Sequence, residues 1–211
     1  MTSDSRPLSR AERKKQELRG EIINAAFDCF ADLGYHAAGI SDIAARLGIG
    51  HGTFYRYFQN KRDIVDHVID DLVTRIMTAL TAENAPDAVS TLDAYRAQTE
   101  RIGDSLARIF ADDPRVPRLL LLEAAGIDKA MADRVLEFLN TATALTAAYL
   151  SHGVELGYLR PDLDVENTAR AINGMIMAGA LASLDAPTAD QQRQFSEAVR
   201  RLMYDGIAAH L

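Results

Sequence analysis

The stretch from Gly48 to Phe58, "GIGHGTFYRYF", sets three glycines within five residues and follows them with four aromatic rings within five. Permissive backbone crowded against bulky side chains suits few structures. The flanking residues narrow the choice: Ser41 to Leu47 and His51 to Phe58 both read as short helices, with Gly48 suited to a left-handed turn between them. Successive helical residues are about 100° apart, so Phe54 and Phe58 share one face while Gly52, Thr53 and Arg56 point away from it. The two phenylalanines are expected to pack on Ile43, Ala44, Leu47 and Ile49, and Tyr55 and Tyr57, at the edges, to turn a ring inward and a hydroxyl outward. Two short helices joined by a tight turn and preceded by a third form the arrangement whose second short helix enters the major groove of DNA. In that arrangement the tyrosine hydroxyls stand at the phosphate walls, Gly52 lets the backbone approach the duplex, and Lys61 is placed for a phosphate.

The rest of the chain also carries helical spacing. Ile22, Ile23, Ala26, Phe27, Phe30 and Leu33 mark a first helix from about Ser9 to Leu33, ended by Gly34. Ile64, Val65, Val68, Leu72, Ile76 and Leu80 mark another from Lys61 to about Leu80, broken by Asn84 and Pro86. Beyond it lie helical stretches over 87–111, 128–156, 164–184 and 188–209, with a segment between the first two broken by Pro114 and Pro117. No alternating strand pattern and no repeat is present. The expected fold is all-α: a flexible basic arm over residues 1–10, a helix-turn-helix domain over 11–60 built as a three-helix bundle, and a larger helical ligand-binding and dimerisation domain over 61–211.

Charge divides the chain in the same way. The formal net charge is -7, yet residues 1–62 hold ten Lys and Arg against seven Asp and Glu, and the remainder 13 against 23. A polyanion is therefore expected to be met by the N-terminal part alone. Arg6, Arg10, Arg13, Lys14 and Lys15 either touch DNA or form a solvated leader. The single cysteine, Cys29, lies seven residues after Ile22 on the apolar face of the first helix and reads as a small buried hydrophobe. The N-terminus has charge but no apolar run, and the most apolar stretch, Ala171 to Ala182, is short of the roughly 20 residues of a membrane span, so a soluble cytoplasmic protein with no membrane partner is expected.

The segment "GYHAAGISDIAARLGIGHGTFYRYFQNKRDIV" resembles the DNA-binding region of the TetR family of transcriptional repressors, through Ile43-Ala44, Gly48-Ile49-Gly50, Gly52-Thr53-Phe54-Tyr55, Tyr57-Phe58 and Lys61. The resemblance covers about residues 10–65; further on it rests on helical character and on "RPDLDVENTARAINGMIMAGA". It implies that Thr53, Tyr55, Tyr57 and Lys61 contact phosphates and that His51 occupies the variable position that reads bases. Gly39 and Gly50 stand where the family usually has hydroxyl residues, which shifts weight onto Arg46, Arg56 and the basic arm.

The segment over 164–184 is apolar nearly all round and must be covered on two sides. One side is expected to pack on its own domain and the other on a second copy, through Ile172, Met175, Ile176, Gly179, Phe195, Val199 and Leu202. The resemblance likewise implies a homodimer through the last two helices. Candidates for an effector pocket are Tyr95, Gln98, Phe110, Phe138, Thr143, Thr146, Tyr149, His152, Asn173 and Met177, which combine aromatic, soft and sparse polar groups. No metal or cofactor is expected: histidines 36, 51, 67, 152 and 210 show no i, i+4 pairing, and there is neither a phosphate loop nor a Gly-x-Ser-x-Gly elbow. The function expected is a repressor that binds a palindromic operator as a dimer and is released by a small apolar effector. A DNA-binding regulator with no ligand response is the alternative, with a helical enzyme further off.

Overall fold

A computed structural model describes residues 9–81, 84–185 and 188–207. Among these, helix dominates and no strand forms. Arg6 and the end of the last expected helix, beyond Ile207, lie outside the described residues. The chain forms two compact units, divided between Asp71 and Leu72.

The first unit holds α1 (Arg10–Leu33), α2 (Ile40–Leu47), α3 (His51–Phe54) and the first half of α4 (Lys61–Thr81). Ser9 caps α1 in a reciprocal box: its hydroxyl accepts from the Glu12 N–H and its own N–H donates to the Glu12 carboxylate at 2.8 Å. Gly39 has no hydroxyl to cap α2, and the Asp42 carboxylate takes its N–H instead, at 2.7 Å. Gly48 ends α2 at φ 65°, with its N–H on Ala45 and that of Ile49 on Ala44. This is the left-handed helix stop that glycine adopts without strain. The third helix is shorter than its expected extent to Phe58. After Phe54 the Arg56 and Tyr57 N–H groups bond i, i+3 to Thr53 and Phe54 while that of Phe58 returns to Phe54, so Tyr55 to Tyr57 sit in turns rather than on a regular helix. Ile22, Phe30, Ile43, Phe54, Phe58, Ile64 and Val68 form the buried interior of this unit. Burial of each large apolar side chain contributes about 1.5–3 kcal/mol.

The second unit comprises the end of α4, α5 (Leu92–Asp112), a run that begins as α6 (Arg115–Pro117), α7 (Lys129–Glu155), α8 (Val165–Ala182) and α9 (Ala189–Ile207). α5 begins five residues later than the spacing suggests, where the Thr91 hydroxyl accepts from the Ala94 N–H. The segment expected to be broken by prolines is helical: Pro114 precedes it, Pro117 sits in its first turn, and a wide π-turn over Arg118–Glu123 leads into a tight turn at Ala124–Gly126. Proline needs no N–H partner in a first turn, which is why it starts the run rather than ending it. Asp128 and Asp164 cap α7 and α8 through their carboxylates. Tyr95, Tyr149, Leu150, Tyr158, Leu159, Ala169 and Ile172 form the core of this unit.

Candidate DNA-reading surface and effector cavity

In the first unit the residues from His51 to Phe58 divide by face. Phe54 and Phe58 are buried, their ring centroids 5.8 Å apart, while His51, Gly52, Tyr55 and Arg56 are exposed and Thr53 and Tyr57 half-buried. Nothing in the chain lies within 4 Å of where a Cβ on Gly52 would stand. Packing within the unit therefore does not require a glycine there. Arg56 donates to the Thr53 hydroxyl at 3.2 Å, which holds both polar ends on the exposed face.

Two basic residues are engaged differently from expectation. Arg46 pairs with Asp32 at 3.0 Å and lies 3.8 Å from Asp28, tying α2 to α1. Its charge is compensated within the unit, where it braces α2 against α1. Lys61 donates to the carbonyls of Tyr35, His36 and Ala38 at 2.8, 3.2 and 3.0 Å, with its ammonium 4.5 Å from the Tyr35 ring centroid. An ammonium has three donors, and all three are taken. Lys61 thus holds the loop before α2 in place. Arg10, Arg13, Lys14 and Lys15 are exposed on the first turns of α1. Cys29 is buried, and burial pushes its thiol up.

The second unit contains a cavity of about 700 Å³. Eight of the ten pocket candidates line it: Tyr95 and Phe110 from α5, Phe138, Thr143, Thr146 and Tyr149 from α7, and Asn173 and Met177 from α8. Gln98 and His152 do not. Gln98 is wholly buried and donates to the Ala85 carbonyl at 2.9 Å, and a His152 ring nitrogen lies 2.8 Å from the Val89 carbonyl. With the Tyr149 hydroxyl on the Asn84 carbonyl, they satisfy the backbone of the 84–90 connection. Sequence reasoning missed Thr99, one helical turn after Tyr95 on the same face, and Leu120 and Leu121, hidden in the segment read as broken.

The residues expected at a dimer contact are also turned inward in large part. Ile172 belongs to the core of the unit, and Met175 and Ile176 pack against it and line the cavity together with Val199. A Cβ on Gly179 would stand 2.7 Å from the Phe195 ring, so these two residues cover each other within one chain. Leu202, 69% exposed, faces outward, as do Leu181 and, in part, Phe195. On α8 Ala171 and Ala178 are exposed away from the cavity lining, while the exposed Gly174 and Ala182 belong to that lining. No helix among the described residues is long and apolar enough to cross a membrane.

A helical reading surface in one unit and an apolar cavity in the other define a class of DNA-binding regulators with a ligand-sized chamber. The family described as bacterial regulatory proteins, tetR family, matches residues 22–68. Over those residues the chain is similar to the TetR family of transcriptional regulators. It is 27% identical to the HTH-type transcriptional activator FasR of Mycolicibacterium smegmatis over 139 residues, which span 63% of this chain and 64% of that protein. Among solved structures, FadR of Bacillus subtilis in complex with stearoyl-CoA is similar at a TM-score of 0.73 and 23% identity, over 90% of this chain and 99% of that one. A TetR regulator from Chloroflexus aurantiacus is similar at 0.78 and 18% identity, over 94% and 100%. These structural likenesses bear on the fold.

Proposed function

We propose that the chain is a ligand-responsive transcriptional repressor: it binds a palindromic operator as a dimer and is released when a small, largely apolar molecule enters the cavity. The observation that carries this reading is the double engagement of α4. Ile76 and Leu80 near its end line the cavity, while Lys61 at its start holds the 35–38 loop that leads into α2. A ligand that tilts α4 moves the mount of the reading helix. Two readers must match half-sites roughly 34 Å apart, or a multiple of that, so a shift of a few ångströms loses one half-site.

Within this reading His51 reads bases, Thr53, Tyr55, Arg56 and Tyr57 contact phosphates and sugars, and Gly52 admits the duplex backbone. The domain boundary for function falls at residues 60 and 61, with the basic arm over 1–10 ahead of the reader. The outward faces of α8 and α9, with Leu181, Ala198 and Leu202, meet a second copy. FadR of Bacillus subtilis, with its stearoyl-CoA, supports the idea that a chain of this architecture accommodates a small ligand.

Enrichment of random duplexes on the purified protein tests the reading. The expected product is a pseudo-palindrome whose affinity falls with salt at a log-log slope of roughly -0.9 per phosphate contact. Enrichment of no sequence, or binding insensitive to salt, contradicts it.

A further inference from the structure

The cavity's polar groups differ in what they leave free. The Thr143 and Thr146 hydroxyls donate to the carbonyls of Leu139 and Ala142 on their own helix. The Tyr149 hydroxyl donates to Asn84, and those of Thr99 and Tyr204 share a bond of 2.7 Å. Both arginines that line the cavity are paired, Arg200 with Glu100 at 2.9 Å and Arg170 with Glu166. Asp104 and Asp185, both exposed at the margin, have no ion pair among the described residues.

On α5 and α8 two lining side chains keep a hydrogen-bonding atom without a partner among the described residues; on α9 the half-buried Ser196 hydroxyl and the exposed Gln191 amide nitrogen do so as well. Tyr95 is 2% exposed and lines the cavity, and its hydroxyl has no hydrogen-bond partner among the described residues. Burial pushes its pKa up, so it stays a neutral donor. Asn173 gives both amide protons away, to the Thr146 hydroxyl and the Ala169 carbonyl at 3.0 Å each, which fixes its orientation and leaves Oδ1 as an acceptor without a donor. The remaining wall is apolar, from Phe110, Leu120, Leu121, Phe138, Met175 and Met177.

Resting on the effector reading above, we propose that the cavity takes a neutral, largely aliphatic molecule whose polar end is a hydroxyl group, served by Tyr95 as donor and Asn173 Oδ1 as acceptor. A hydroxyl both accepts and donates, and so matches what the cavity leaves open. A carboxylate or phosphate only accepts. It would pass two uncompensated carboxylates at the margin and meet no unpaired cation among the lining residues, so the loss of its hydration is not made good. An ammonium only donates, so it leaves the Tyr95 O–H without an acceptor, and no carboxylate among the lining residues is buried beside it.

Calorimetric titration of the 211-residue chain at pH 7 with decanol, decanoate and decylammonium, which share a tail, separates the three chemistries. Decanol is expected to bind at least about tenfold more tightly than either ion. Tyr95→Phe and Asn173→Leu are each expected to weaken decanol about 3- to 10-fold, the size of one neutral hydrogen bond, and to leave decanoate unchanged. A tyrosine with a purely structural role would not weaken decanol while leaving decanoate unchanged. Decanoate or decylammonium binding as tightly as decanol overturns the proposal and leaves the effector reading in place. So does decanol binding that is indifferent to Tyr95→Phe. Binding of none of the three overturns it as well. Decanol binding as expected, with duplex affinity unchanged, leaves the proposal standing and overturns the effector reading.

Discussion

Lys61 places its three ammonium donors on the carbonyls of Tyr35, His36 and Ala38, at the loop that delivers the chain into α2. Hydrogen bonds to a charged group are worth more than neutral ones, and here they fix where the first short helix begins. Lys61→Ala is therefore expected to lower stability by about 2 kcal/mol and to weaken duplex binding for all sequences. The salt dependence of binding should keep its slope, since no phosphate contact is lost. A slope smaller by about one unit would instead identify the ammonium as a phosphate contact. The basic character of Lys61 and Arg46 was legible in the sequence, but not their partners. Those partners are backbone carbonyls 23 to 26 positions away and carboxylates on α1, at spacings set by the packed unit rather than by any helical period. The aromatic residues were more legible. The faces of Phe54 and Phe58 follow from helical geometry even though the helix itself ends at Phe54.

At the scale of elements, the run after α5 shows how a local pair starts a helix that its prolines conceal. The Asp113 carboxylate accepts from the Arg115 backbone N–H at 3.0 Å and from its guanidinium at 2.9 and 2.8 Å, at the head of the run that supplies Leu120 and Leu121 to the cavity. The Arg115 side chain holds this carboxyl below its ordinary value of 3.8. Because the folded-state value is the lower one, the pair's stabilisation is fully present above the ordinary value and is lost as pH falls through the folded one. Asp113→Asn is expected to lower the unfolding midpoint at pH 7, with the deficit relative to wild type shrinking by pH 3. A deficit that stays constant across that range would show that the carboxylate's charge contributes nothing. The orientation of α8 was the least legible part of the element pattern. A helix that is apolar on all sides carries no mark of which side faces inward. The choice is made by packing, which puts Ile172, Met175 and Ile176 inside and leaves Ala171 and Ala178 outside.

At the scale of the whole molecule, the central claim is that occupancy of the cavity and binding of DNA are linked through α4. Linkage makes this reciprocal: a ligand that favours a spacing of the reading helices unsuited to the operator must bind the DNA-bound protein more weakly, by the same factor by which it weakens DNA binding. The claim does not depend on which molecule fills the cavity, provided that one does. A compound that raises the unfolding midpoint of the free protein, decanol being the first to try, is titrated into the protein alone and into the protein saturated with its selected duplex. The account predicts that its affinity is weaker in the presence of the duplex by about tenfold, within the usual range for coupled sites, and that the duplex affinity falls by the same factor when the compound is saturating. Equal affinity for the compound with and without duplex would contradict it.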